Sequence, residues 1–218
     1  MRTASRRRLP AAAEAALPAW FSRTLSDLSD TLAGVVTCGQ AFGGDLEAVN
    51  VHSGLLAARH VLGADVVVVT QGPGNLGTGT RFGFSGTGIG EAVNAAAVLG
   101  GRPVGALRIS AVDPRPRHRG VSHHSLTAYG RVALAAADLV VLAGLEPGLA
   151  AEVDAALAPL AGRHRIVTVE VDGLLEALRA SPARLSTMGR GLGDDPAYFL
   201  AAAAAGRHAA ALAAHPAS

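Results

Sequence analysis

The sequence predicts an α/β protein with a Rossmann-like, three-layer fold whose mainly parallel sheet carries about five strands. Three observations carry that expectation. Short apolar runs such as VVVVT (66–70) and LVVLA (139–143) show no alternation, as in strands buried on both faces. A glycine-rich stretch, QGPGNLGTGT (71–80), leaves the first of these runs at its C-terminal end, the edge at which open α/β sheets bind ligands. Strand-like and helix-like segments then alternate five times, with connections long enough to cross over.

Residues 1–17, rich in Arg and Ala and followed by Pro18, read as a poorly ordered arm, which leaves 18–215 as a single domain. Trp20, Leu25, Leu28 and Leu32 suggest a helix stopped by Gly34, and residues 35–38 form the first strand. Asp45 is placed to cap a helix running to about residue 62, with Glu47 in its first turn. After the glycine-rich loop, Thr87 caps a helix to Leu99, closed by Gly100 and Gly101. A strand over 104–109 leads into the loop SAVDPRPRHRGV, and Ser122 caps the helix that follows. Strands over 139–143 and 166–171 flank a helix over 149–160, and the tail is helical with breaks at Pro182 and around 189–196.

Composition narrows the chemistry. All 19 basic residues are arginine, which removes Schiff-base lysines and the lysine of a phosphate-binding P-loop. A net charge of +2, without an extended basic stripe, argues against nucleic acid as a partner. One cysteine and no secretory signal point to the cytoplasm, and no apolar run is long enough for a membrane helix. Cys38 itself reads as a buried core residue rather than a nucleophile.

Two stretches carry candidate site residues. GPGNLG matches a dinucleotide fingerprint, but no helix opens at once and no acid follows at the right distance, so NAD is disfavoured. Backbone N–H groups at Gly72, Gly74, Asn75, Gly77 and Gly79, with Thr78 and Thr80, are instead expected to cradle a phosphate, carboxylate or nucleotide. The second stretch, RISAVDPRPRHRGVSHHS (108–125), offers Arg108 or Arg119 as an anion clamp, with His118 and the helix cap Ser122 as further ligand contacts. Within it His123 and His124 are candidates for acid–base catalysis, with Asp113 beside them. A metal on Asp113 and the histidines is disfavoured, because the spacing fits no zinc motif and neighbouring helical side chains point about 100° apart. His52 reads as a packed histidine, and Arg190, Asp194 and Asp195 as a capping linker or a lid.

The blocks QAFGGDLEAV, QGPGNLGTGTRFGFSG, DPRPRHRGVSHHSLTAYGR and STMGRGL resemble an uncharacterised bacterial family, domain of unknown function 3866, over about residues 17–208. The resemblance implies an actinobacterial-type cytoplasmic protein, and it supplies no reaction, cofactor or catalytic residue. Family members typically carry further strands upstream, so this chain resembles their C-terminal part. An exposed strand edge or helix face, and with it a homo-oligomer, is the corresponding expectation. The functional expectation is a site for a small anionic metabolite or nucleotide, formed by the glycine loop and the Arg/His loop. The alternatives are a non-catalytic sensor or assembly subunit, and a metal-dependent hydrolase; no particular cofactor is indicated.

Overall fold

The computed structural model describes residues 9–14, 18–71, 77–78 and 80–215. Parallel strands and helices dominate, as expected, but in place of one sheet of five the described strands form two parallel sheets, of four and three strands, and two short antiparallel pairs. The chain divides correspondingly into two compact units, Met1–Leu76 and Gly77–Ser218.

In the first unit, β1 (Leu9–Glu14), α1 (Arg23–Asp27), β2 (Leu32–Cys38), β3 (Leu46–Ala48), α2 (Val51–His60) and β4 (Val68–Gln71) follow in order. The sheet order is β3-β2-β1-β4, all parallel. Residues 9–14, expected within the arm, thus lie in the interior of the sheet. Hydrogen bonding from β2 on one side and β4 on the other overrides the helical preference of an alanine run. The helix expected from Trp20 breaks into single turns around α1. Asp45 does not cap α2 but accepts from the Val35 amide at 2.8 Å, and the cap is Asn50, which exchanges bonds with Ser53. Val36, Cys38, Ala58 and Ala64 make a small core, in which Cys38 is fully buried. His52, expected to be packed, is exposed on α2.

The second unit contains α3 (Gly88–Val98), β5 (Val104–Ala106), β6 (Ile109–Ser110), β7 (Gly120–Val121), α4 (His123–Thr127), β8 (Asp138–Leu142), α5 (Pro147–Leu157), β9 (Arg165–Val169), α6 (Leu174–Arg179), β10 (Ser186–Thr187), β11 (Arg190–Gly191) and α7 (Pro196–Ala214). Its sheet has the order β5-β8-β9, all parallel. All five residues of β8, the middle strand, are buried, which accounts for its unbroken apolar run. Leu139, Val140, Val153, Leu157, Ala201 and Ala204 belong to the core between sheet and helices. The helix expected from Ser122 is α4 followed by a wider π turn over Ala128–Val132. No helix among the described residues is long and apolar enough to cross a membrane.

Candidate functional site

The strand expected over 104–109 stops at Ala106, and the chain then closes a loop. Ile109 and Ser110 of β6 pair antiparallel with Val121 and Gly120 of β7, and Ser122 N–H donates to the Arg108 carbonyl at 2.9 Å. Gly120 has φ +61°, which suits the reversal into β7. Residues 111–119 are thereby held at the C-terminal side of β5, the edge at which a parallel sheet presents its ligand sites.

Asp113 is the hub of this loop, its side chain wholly shielded from solvent. Arg115 grips it through Nε at 2.9 Å and Nη2 at 2.9 Å, while Arg108 and Arg190 each donate an Nη2 proton to it at 3.1 Å. These bonds, led by that from Arg115, hold the Asp113 carboxyl well below the ordinary carboxylate range. Arg190 also reaches Asp195 at 3.3 Å, and the Ser110 hydroxyl donates to Asp195 at 2.7 Å. Asp195 occupies the cap position of α7 but makes no side-chain cap bond, its carboxylate being engaged by Ser110 and Arg190. The sequence reads Arg190 and Asp195 as part of a capping linker or a lid, and their joining with Asp113 is a product of tertiary structure.

The histidines lie beside this network. Ser122 Oγ accepts from the His124 amide at 3.2 Å, which caps α4 as expected, and is 2.7 Å from His118 Nδ1. Ring centroids are 5.0 Å apart for His118 and His123, 4.9 Å for His118 and His124, and 4.3 Å for His123 and His124. One ring nitrogen from each of the three lies within 4.8 Å of the others. The divergence expected of neighbouring helical side chains is absent, because His123 and His124 open a single-turn helix and their rings converge. Phe84 stacks on His124 at 4.1 Å with an interplanar angle of 16°. Burial, reinforced by Arg108 and Arg115, pushes His118 down to about 4; burial, His123 and the nearby arginines do the same for His124. His123 is shifted the same way, by burial and then by Arg117, Arg108 and Arg115. All three rings are therefore neutral at neutral pH.

Of the glycine-loop residues, Gly72, Gly74, Asn75 and Gly79 lie outside the described residues. Gly77 bridges Phe84, and Thr78 N–H donates to the Gly83 carbonyl at 2.6 Å. A side chain at Gly77 would strike the Gly83 carbonyl and the Phe84 backbone, so a close chain approach explains that glycine. The Thr78 and Thr80 hydroxyls bond each other at 2.8 Å. Arg119 is exposed at the end of the Pro116–His118 turn, and Arg108 is partly buried in the network.

Among the described residues, three buried side-chain atoms have no hydrogen-bond partner: Arg108 Nε, His123 Nε2 and Asp195 Oδ1. All three belong to this one centre. Such groups are uncommon in folded proteins, because each forfeits its bond to water without replacement.

A second polar cluster sits at the opposite end of the sheet. Asp138, the first residue of β8, is bonded by Arg165, by His208 at 2.8 Å and, more loosely, by Arg102 at 3.5 Å. It borders a cleft of about 420 Å³ also lined by Arg163 and His164. His164 Nδ1 accepts from the Ala137 amide at 3.2 Å, so Nε2 carries the proton toward the Tyr129 carbonyl at 2.8 Å. None of these groups contains an orphaned atom, and the cluster reads as structural.

No curated protein and no solved structure matches the chain. The Arg/His loop, the glycine-rich stretch and the Arg190 turn all fall within one match, and over residues 10–206 the chain belongs to the family described as Protein of unknown function (DUF3866).

Proposed function

We propose that the centre formed by Arg108, Asp113, the three histidines, Arg190 and Asp195 binds a small anionic metabolite or nucleotide and acts on it by acid–base chemistry. The observation that carries this reading is the set of three orphaned atoms. Arg108 Nε can only donate, so it calls for an acceptor such as a phosphate or carboxylate oxygen. Asp195 Oδ1 can accept a ligand hydroxyl, and His123 Nε2, which has no hydrogen-bond partner, can exchange a proton with the ligand. Arg108, Arg115, Arg117, Arg119 and Arg190 outnumber Asp113 and Asp195, which supports an anionic partner. Gly77 and Thr78 reach this centre through Phe84, which stacks on His124, so the end of the glycine loop adds a wall to it.

The test is thermal unfolding against inorganic phosphate, nucleotides, phosphosugars and dicarboxylates. A ligand at about 100 times its Kd adds about 2.7 kcal/mol of stability. Arg108→Lys, which keeps the charge but loses Nε, should abolish the shift. No shift with any compound would favour the second reading, an assembly subunit. That reading rests on the first unit, where Trp20 and Phe21 are 63% and 72% exposed and Trp20 meets Phe42 edge-on at 5.5 Å.

A further inference from the structure

We propose that His118, His123 and His124 together hold one divalent transition-metal ion, zinc by the chemistry of an all-imidazole donor set, with a fourth position open to water or to an anionic ligand. The inference stands on the ring geometry and goes beyond the anion reading, since a chain can satisfy either one alone.

The separation is the first argument. Tetrahedral zinc with bonds of ~2.0–2.1 Å places its nitrogens ~3.4 Å apart. One ring nitrogen from each of the three lies within 4.8 Å of the others, a separation close to that spacing. Three rings contributed by one turn and one helix start, two of them adjacent in sequence, form no familiar zinc spacing, which is why the sequence conceals the cluster.

The tautomer is the second. Arg117 Nε approaches His118 Nε2 at 3.4 Å, and a guanidinium can only donate. His118 Nε2 therefore bears the lone pair, and its Nδ1–H donates to Ser122 Oγ at 2.7 Å. A metal-bound histidine is ordinarily held in this way, with its second nitrogen donating to a fixed acceptor. Ser122 is itself fully buried and fixed as the cap of α4, so the orienting contact belongs to the fold.

His123 Nε2, buried and without a hydrogen bond, is the third. As the unprotonated nitrogen of a neutral ring, His123 Nε2 offers a lone pair that a metal ion satisfies. Stacking on Phe84 fixes the plane of His124. Positive charge opposes the ion, but Arg108 and Arg115 are both bonded to Asp113, at 3.1 Å and 2.9 Å. Arg117 is exposed, and its long contact to His118 is the one the ion displaces.

The experiment uses the full chain without a histidine tag, purified without chelator, and measures metal content by elemental analysis. Protein stripped with chelator is then titrated with Zn²⁺, and with Co²⁺ to read the intense visible bands of a tetrahedral site. One equivalent per chain is expected, with those cobalt bands. His123→Ala and His124→Ala should lose the stoichiometric ion while circular dichroism shows them folded. Ser122→Ala should weaken binding by roughly 10-fold, the effect of losing an orienting contact. His208→Ala, on the Asp138 cluster, should retain one equivalent, and Arg117→Gln should bind at least as tightly as the parent. Folded parent protein that takes up neither metal overturns the inference, as does a stoichiometric ion that survives in folded His123→Ala. Anion binding is followed separately, by Arg108→Lys in the presence of chelator. Metal uptake without any anion shift sustains this inference and sinks the anion reading; an anion shift without metal uptake does the reverse.

Discussion

Two clusters in the second unit are built from the same ingredients and end in opposite states. Around Asp138, a buried carboxylate takes Arg165, Arg102 and His208, and the histidine bonds the acid directly. Around Asp113, a buried carboxylate takes Arg108, Arg115 and Arg190, and the histidines stand apart from it, facing one another. The first cluster closes the N-terminal end of β8 and has no orphaned atom, whereas the second lies beyond the C-terminal end of β5 and holds all three. A polar cluster that exists for stability satisfies its members internally. One that exists for a ligand leaves places for it.

The largest expected effect would come from removing each hub. Asp113→Asn strands three guanidiniums whose side chains are 21%, 33% and 17% exposed, and should destabilise the second unit by about 3–5 kcal/mol. Asp138→Asn should cost only about 1–2 kcal/mol, because Arg102 and Arg165 are half exposed and return to water. Urea unfolding measures both, and equal losses would erase the distinction drawn here.

Acid should separate the clusters next. Folded His118 and His124 titrate at about 4, against about 6.5 in an unfolded chain, so between those values the unfolded state binds more protons. Stability measured in chelator should therefore fall as pH drops from about 6.5 to about 4. The doubly substituted His118→Gln/His124→Gln chain should lose that slope. Asp138, lowered to about 2 chiefly by Arg165, contributes stability that is present above the ordinary carboxylate range and lost as pH falls toward 2. Asp138→Asn should leave the slope above pH 4 intact. A slope that persists in the doubly substituted chain would show that these rings are not what acid charges.

Gly77→Ala should cost about 1–3 kcal/mol, because the added methyl overpacks the Gly83 and Phe84 backbone. Displacing Phe84 should also weaken ligand binding through His124, whereas normal binding in a destabilised variant would confine the glycine to a structural role.

The smallest stability effect sharpens the comparison most. His208→Ala removes a 2.8 Å bond to a buried carboxylate and should cost about 1–2 kcal/mol with no change in ligand or metal binding. His123→Gln removes a ring whose Nε2 has no partner, and should change stability by under about 0.5 kcal/mol while binding is lost. If the two variants traded these results, the assignment of structural and ligand-facing histidines would be inverted.

Much of the local structure was already determined by the sequence. The apolar runs mark β2, β4, β8 and β9, Ser122 marks the start of α4, and the Arg/His loop falls after a strand, because periodicity and capping depend on near neighbours. Tertiary structure alone decided that residues 9–14 are an interior strand, that the parallel strands divide between two sheets, and that Arg190 reaches Asp113 across a separation of 77 residues. It also decided which arginines are neutralised by Asp113 and that three histidine rings converge. The physical reason is common to all of these. Parallel strand pairing, buried ion pairs and ring convergence are contacts between distant segments, and no residue's local preference records which partner the fold will bring to it.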